Sequence, residues 1–519
     1  VNLKQFSFFF TILCIFSLKA EVQETRQPQD QMPQIQAKAR LNHHQRKALI
    51  EFHKILKILE QHPGFHDKES NLFNEQFERG KEFFLRKRLK EVNSFFGAIF
   101  AIKEFIAGFQ DFHTSLNPIM EVPLEWPGFL IHYDGKRFLT SFKNDNQHSN
   151  NALITKIDGI PTKQWISENI IHFTNNLIES ESSLYFASIQ ALLWQQNPFI
   201  KKPMSICIEK KASELLVEKT IDLTWKPITL KEYAKREAKL LGISPLKDLL
   251  NPIKTTSPNK EISWIKIRSF NINNLIQNNF LQKIQFFQFK RTLKKLSQHH
   301  TKKIIFDLSG NIGGLTHIPR ILFTSLFGFE NARKAEEYVL PGRGYRSTTK
   351  NAARFNNECL MIADDLFDNL VNQKTENAYS IQDYFPITKG NFKIPEPKDP
   401  QAVLDTEFFI IIDGASASTS LLFIEELKQI TPKVTLIGQP SASNTSYLDP
   451  VMHRTAVGLL SAPIAIIPKR SGMFNKPFIP DYFLSTAKMK DSKWLRESVL
   501  EIVNTGTRQK SFKKITALK

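Results

Sequence analysis

Apolar positions recur at three different spacings along the chain, and each spacing predicts a different architecture. From Leu41 to His62 the residues Leu49, Ile50, Phe52, Ile55, Leu56 and Leu59 fall at helical intervals, and Pro63-Gly64 ends the run. A charged helix is expected around Asn74 to Glu91 and a third from Phe95 to Phe109, so residues 37–117 read as a helical module. Between Val122 and Leu223 the pattern shortens to strands and turns, with Gly128-Phe-Leu-Ile-His-Tyr133, Arg137-Phe-Leu-Thr140 and Ala152-Leu-Ile-Thr-Lys-Ile157 as strands. Asp134-Gly135 and Asp158-Gly159 are hairpin signals, and residues 120–225 read as a β-rich domain. Residues 226–260 are polar, lysine-rich and punctuated by proline, the composition of a linker.

From Glu261 onward strands and helices alternate. Ile262–Ile267, Lys303–Leu308, Phe408–Ile412 and Val434–Gly438 are short continuous apolar runs, as expected of strands covered on both faces. Between them lie helical patterns over Asn274–Leu296, Leu315–Phe327 and Leu421–Leu427. This alternation predicts an α/β domain with a mainly parallel sheet over residues 261–505. Residues 330–400 interrupt it with mixed polar sequence, and residues 506–519 form a basic tail.

At 519 residues the chain exceeds one hydrophobic core, so two or three domains are expected. Its formal net charge of +19 raises the question of nucleic acid. The basic residues are scattered, however, with no long basic block before the tail and no aromatic-interleaved patch, which speaks against nucleic-acid binding. Loose attraction to a membrane surface and a homodimer both remain compatible with the composition. Forty-three Phe against 20 Gly, with abundant Lys, Asn and Ile, reads as an AT-rich coding bias. Residues 1–20 carry Lys4, the apolar run Phe6 to Leu18 and a small residue, Ala20, the outline of a secretory signal peptide too short to span a membrane. A secreted or periplasmic location is the expectation. Cys14 sits in that segment, and Cys207 and Cys359 alone make neither a disulfide framework nor a zinc site.

Two glycine-bearing turns carry the candidate chemistry. Gly414-Ala-Ser-Ala-Ser-Thr-Ser420 follows the apolar run ending at Asp413 and precedes a helix, a strand, tight turn, helix arrangement that exposes a serine Oγ and aims helix N-terminal amides at an oxyanion. The same small residues would also serve simply as a helix cap. Asp307-Leu-Ser-Gly-Asn-Ile-Gly-Gly314 likewise joins a strand to a helix. No Gly-Lys-Ser/Thr follows it and no dinucleotide glycine pattern is present, so paired amides of an oxyanion hole are its better use.

Taken in order, Asp307-Leu-Ser-Gly-Asn-Ile-Gly-Gly314, Ala415-Ser-Ala-Ser418, Ile437-Gly-Gln-Pro440 and Ile479-Pro-Asp481 resemble the motif series of the tail-specific, C-terminal-processing serine protease family. The Ile157-Asp-Gly-Ile-Pro161 segment looks like the end of the PDZ-like domain these proteins carry before a ClpP/crotonase-like core. One branch of the family takes its general base from a lysine after the Gly-Glu-Pro-like motif, but here Ser441-Ala-Ser-Asn444 offers none. The histidine-dependent branch uses an upstream Asp-x-His segment, which Asp111-Phe-His-Thr-Ser115 resembles.

The resemblance therefore implies Ser416 as nucleophile, with Ser418 as the fallback, His113 as base, and the N–H groups of Gly314 and Ala417 as oxyanion donors. Asn475 falls near the position where that branch has a glutamate to orient the imidazole. An asparagine holds the tautomer but adds no charge. The function implied is a secreted or periplasmic serine endopeptidase acting on extended or unfolded polypeptide, with no cofactor and no metal. The rival reading is a catalytically silent relative that binds peptides, motivated by the missing glutamate and by Thr419 where an acidic residue is usual. A crotonase-like acyl enzyme is the third, disfavoured by the absence of a coenzyme A signature.

Overall fold

Asn42 opens the first helix with a reciprocal cap: its side chain accepts the Gln45 N–H while the Gln45 side chain takes the Asn42 N–H. In the computed structural model, the residues described are 41–505 except 61, 67–71, 110, 112, 118–122, 143–151, 175–180, 213–214, 241–251, 271–278, 299–300, 316, 340–343, 346–393, 443–446, 467–475, 486–488 and 490–491. Helix α1 (His43–Leu59) buries Phe52, Ile55 and Leu59 against α2 (Leu72–Phe83) and α3 (Phe95–Ala107). The expected second helix runs from Leu72 to Glu91, with a π-helical turn over Phe84–Arg88 set into its α-helical ladder before Leu89–Glu91. That turn stacks Phe84 on Phe52, ring centroids 3.8 Å apart.

Strand β1 (Ser115–Asn117) leaves the helical module and joins the far end of the chain, as described below. The β-rich part is an antiparallel sheet in the order β2 (Phe129–Tyr133), β3 (Phe138–Phe142), β4 (Leu153–Ile157), β5 (Ser205–Ala212) and β6 (Leu215–Asp222). Helix α4 (Glu181–Gln190) packs on it, burying Leu184 and Ala187 with Phe129 and Ile131.

Residues 226–260, expected to be a linker, contain folded elements among the described residues. Lys226–Ile228 pairs with Leu124–Trp126, α5 (Leu230–Leu240) buries Tyr233, Ala234 and Leu240, and β7 (Ile253–Thr256) joins the core sheet. The apolar stripe of α5 is narrow and surrounded by lysines, so overall polarity hid a helix whose stability comes from packing.

The core sheet runs β7, β8 (Ile262–Ile267), β9 (Lys303–Asp307), β10 (Glu407–Ile412), β11 (Val434–Gly438), with β7 antiparallel and the rest parallel. Its crossovers include α6 (Asn279–Ser297), α7 (His317–Phe327), α8 (Phe329–Val339) and α9 (Thr419–Ile430). Ile304, Phe306, Phe408 and Ile410 face one core with α6, α7 and α9. Ile305, Phe409 and Ile411 face the other. Both faces of these strands are thus covered, the physical reason their apolar runs are unbroken. The hairpin of β12 (Tyr447–Arg454) and β13 (Leu459–Ile466), not anticipated, forms a second sheet, before β14 (Tyr482–Phe483) closes the parallel one. Helix α10 (Ser492–Thr505) covers the second face with Leu495, Val499 and Val503.

Candidate active site

The turn after β10 is held from three sides. Gly414 lies beneath the Tyr185 ring of α4, close enough that an added Cβ would stand 2.5 Å from it. Asp413 is buried, and its carboxylate accepts the N–H groups of Gly310 and Ala415. Burial raises the Asp413 carboxyl above its ordinary range, opposed by these hydrogen bonds, by Ser416 and by the charge of Lys266. Lys266 itself bonds Asp307 at 2.9 Å. Burial would raise Asp307 too, but the Lys266 charge and the Ser309 hydrogen bonds outweigh it and hold that carboxyl low.

Within this turn the two candidate serines occupy opposite environments. Ser416 is fully buried; its Oγ accepts the Asp413 N–H at 3.0 Å and lies 2.9 Å from the Leu308 carbonyl, to which it donates. Ser418 is half-buried, has φ +53° and ψ −122°, and caps α9 without using its side chain. A non-glycine residue at positive φ is strained, and such strain is how a tight turn thrusts a side chain outward. Its Oγ meets the Nε2 of His113 at 3.2 Å.

The structure thus brings His113 to Ser418 and not to Ser416, the serine expected from sequence. The Ser416 hydroxyl is consumed in tying the turn to the end of β9 and has no access to a substrate. The Ala417 N–H, expected as an oxyanion donor, here donates to the Asn311 carbonyl at 3.1 Å. The amide after Ser418 belongs to Thr419. Among the described residues neither the Thr419 nor the Gly314 N–H has a hydrogen-bond partner, and the Thr419 hydroxyl donates to the Gly314 carbonyl at 2.6 Å. Gly313 lets the two turns meet: at φ +104°, an added Cβ would lie 2.7 Å from the Ser418 Cβ and 2.9 Å from the Thr419 nitrogen. Asn475 lies outside the described residues.

His113 reaches this turn by way of β1. Ser115 to Asn117 pair with Ser461 to Leu459 of β13, and the Ser461 hydroxyl donates to the His113 carbonyl at 2.7 Å. The Asp111 side chain accepts the His113 backbone N–H at 3.2 Å. Asp111 is buried, which would raise its carboxyl, but His62 beside it, the charge of His113 and the Thr114 hydrogen bond hold it below the usual range. His62, to which no spacing pointed, was the contact missed; only its place beside the Pro63-Gly64 helix stop marked it out.

The other family-like motifs are structural. Gln439 donates through Nε2 to the Asp134 carbonyl at 3.2 Å, tying the end of β11 to the first hairpin of the β-rich sheet. Asp481 accepts the Leu436 N–H at 2.8 Å. Among the described residues no group of three or more His, Cys, Asp or Glu is placed to hold a metal ion.

Comparison with known proteins places this geometry. Residues 261–482 match peptidase family S41. The structure is similar to that of mature CPAF, with TM-score 0.56 and 12% identity over 89% of this chain and 98% of that one. It is also similar to mature CPAF complexed with lactacystin, with TM-score 0.57, 12% identity and the same coverage. At this identity the likeness shows a shared fold. No curated protein sequence matches the chain. The core that holds both glycine-bearing turns is thus similar to the peptidases of family S41, the tail-specific serine endopeptidases.

Proposed function

We propose that Ser418 is the nucleophile and His113 the general base of this serine protease. The observation that carries the assignment is the 3.2 Å contact between His113 Nε2 and Ser418 Oγ, made across 305 positions of sequence. Nε2 takes the Ser418 proton as Oγ attacks the scissile carbonyl, and then returns it to the leaving amine. The oxyanion of the tetrahedral intermediate faces the N–H groups of Gly314, one of the pair expected from sequence, and of Thr419, which takes the place of Ala417. A water, deprotonated by the same imidazole, releases the acyl group from Ser418. Asp111 adds a buried anion on the His113 turn.

We read the substrate as extended or unfolded polypeptide engaging a PDZ-like domain over residues 120–225. In support, β6 pairs on only one side among the described residues, leaving an edge for strand addition. A secreted or periplasmic location rests on the apolar run Phe6 to Leu18 behind Lys4, and a fusion of residues 1–20 to a reporter active only after export tests it.

The test of the site uses a fluorophosphonate probe and labelled casein with four proteins. Wild type and Ser416→Ala label and cleave. Ser418→Ala does not label, and both Ser418→Ala and His113→Ala lose casein turnover by on the order of 10⁴ to 10⁶. Labelling that survives in Ser418→Ala but not in Ser416→Ala refutes the assignment, and labelling of none of the four favours the silent, peptide-binding relative.

A further inference from the structure

The turn that carries His113 is braced by a second histidine. His62 is fully buried and stacks on Phe73, centroids 4.1 Å apart and planes within 10°. Its Nδ1 accepts the Gly64 N–H at 3.0 Å, so the ring proton sits on Nε2. Nε2 lies 3.1 Å from Thr114 Oγ1 and 3.5 Å from Asp111 Oδ2. The Thr114 hydroxyl donates to Asp111 Oδ2 at 2.5 Å, so its oxygen lone pair receives the His62 proton. The chain therefore runs Gly64 N–H, His62, Thr114, Asp111, each link donating to the next. Asp111 finishes it at both ends of one turn: Oδ1 accepts the His113 N–H, and its backbone carbonyl accepts the Thr114 N–H at 3.1 Å.

Gly64, His62, Thr114 and Asp111 are all buried, and it is the half-buried His113 that meets Ser418. The hydrogen bonds hold Asp111 and Thr114, which flank His113 in sequence, and they leave its Nε2 directed at Ser418. We propose that His62 is a positioning residue for catalysis: through Thr114 and Asp111 it fixes the backbone from which His113 reaches the nucleophile. The inference rests on the assignment of His113 and Ser418 above. An imidazole displaced by an ångström loses alignment with Oγ, and displacements of that size cost about 100-fold in turnover.

The experiment compares His62→Phe, which keeps the ring and its stack on Phe73 but removes both nitrogens, with His62→Gln, whose amide nitrogen stands near Nε2 and still donates. The buried Thr114→Val, nearly the same shape, breaks the relay without touching His62 and serves if His62→Phe fails to fold. In His62→Phe and Thr114→Val, kcat on labelled casein and the rate of fluorophosphonate labelling fall together by about 10- to 100-fold with KM within about twofold. His62→Gln retains kcat within about threefold of wild type, and the His62→Phe/Thr114→Val double variant loses no more than either single one, since both cut one chain. Three results overturn the proposal: unchanged kcat in Thr114→Val, equal losses in His62→Phe and His62→Gln, or losses confined to KM. If wild type labels, Ser418→Ala does not, and His62→Phe and Thr114→Val label at the wild-type rate, the positioning role fails alone. If wild type does not label, the assignment of Ser418 fails and the inference with it.

Discussion

The Ser416 hydroxyl accepts one backbone hydrogen bond and donates another inside the protein, so Ser416→Ala leaves a buried donor and acceptor unmet. The expected loss is about 1–3 kcal/mol of stability, read from the urea midpoint, with fluorophosphonate labelling retained. Gly313→Ala has the opposite signature. The added methyl meets Ser418 and the Thr419 amide at a φ that alanine disfavours, so labelling is lost while the remote cores keep their packing.

Acid sensitivity also belongs to single residues. The Asp111 and Asp307 carboxyls are held below their ordinary range in the folded protein. Each therefore contributes stability that is complete above the unfolded carboxylate pKa of about 3.9 and is lost as pH falls through the lower folded value. Asp111→Asn should flatten the fall of the urea midpoint between about pH 5 and about pH 3, whereas an unchanged acid slope would refute the linkage.

At the scale of elements, α9 combines two functions in one helix. Its first turn presents Ser418 and Thr419, and its inner face inserts Phe423 among Phe270, Phe306 and Phe323. The same helix buries Glu426, neither of whose carboxylate oxygens has a hydrogen-bond partner among the described residues. Burial, with the nearby Glu336 charge, pushes that carboxyl well above its usual range against the opposing charge of Arg320. A raised value makes its cost smallest below the ordinary carboxylate pKa and largest as pH rises through the folded value. Glu426→Met should therefore raise the urea midpoint at neutral pH, by about 1–3 kcal/mol in stability, with the gain shrinking in acid. A gain equal at both pH values would show that the methionine acts only through packing.

At the scale of the whole molecule, the active site is assembled from two ends of the chain. Helix α1 and the hairpin turn after β12 are joined by Glu51, which accepts the Ala456 N–H at 2.9 Å, and Leu116, Val457, Leu460 and Ala462 lie in the same core as α1 to α3. The helical module and the hairpin thus carry His113 to α9 as one packed unit. Leu116→Asp places a charge in that shared core and should reduce casein turnover at least about tenfold while leaving the parallel sheet folded, as judged by hydrogen exchange of β9 and β10. Full turnover in Leu116→Asp would show that β1 pairing does not deliver the histidine.

The parallel strands were legible in the chain because burial on both faces writes itself as an unbroken apolar run, and the two glycine turns because a strand must meet a helix there. His113 was legible through its resemblance to an Asp-x-His segment, not through any local pattern. The choice between Ser416 and Ser418 was not legible: both are serines flanked by alanine in one small-residue turn, and only backbone torsion and the packing of Gly313 decide which hydroxyl faces outward. His62 was hidden for a related reason, since its partners lie some fifty positions away. Local periodicity and turn chemistry determine elements from neighbouring residues alone; which side chains meet across hundreds of positions is decided by how those elements pack.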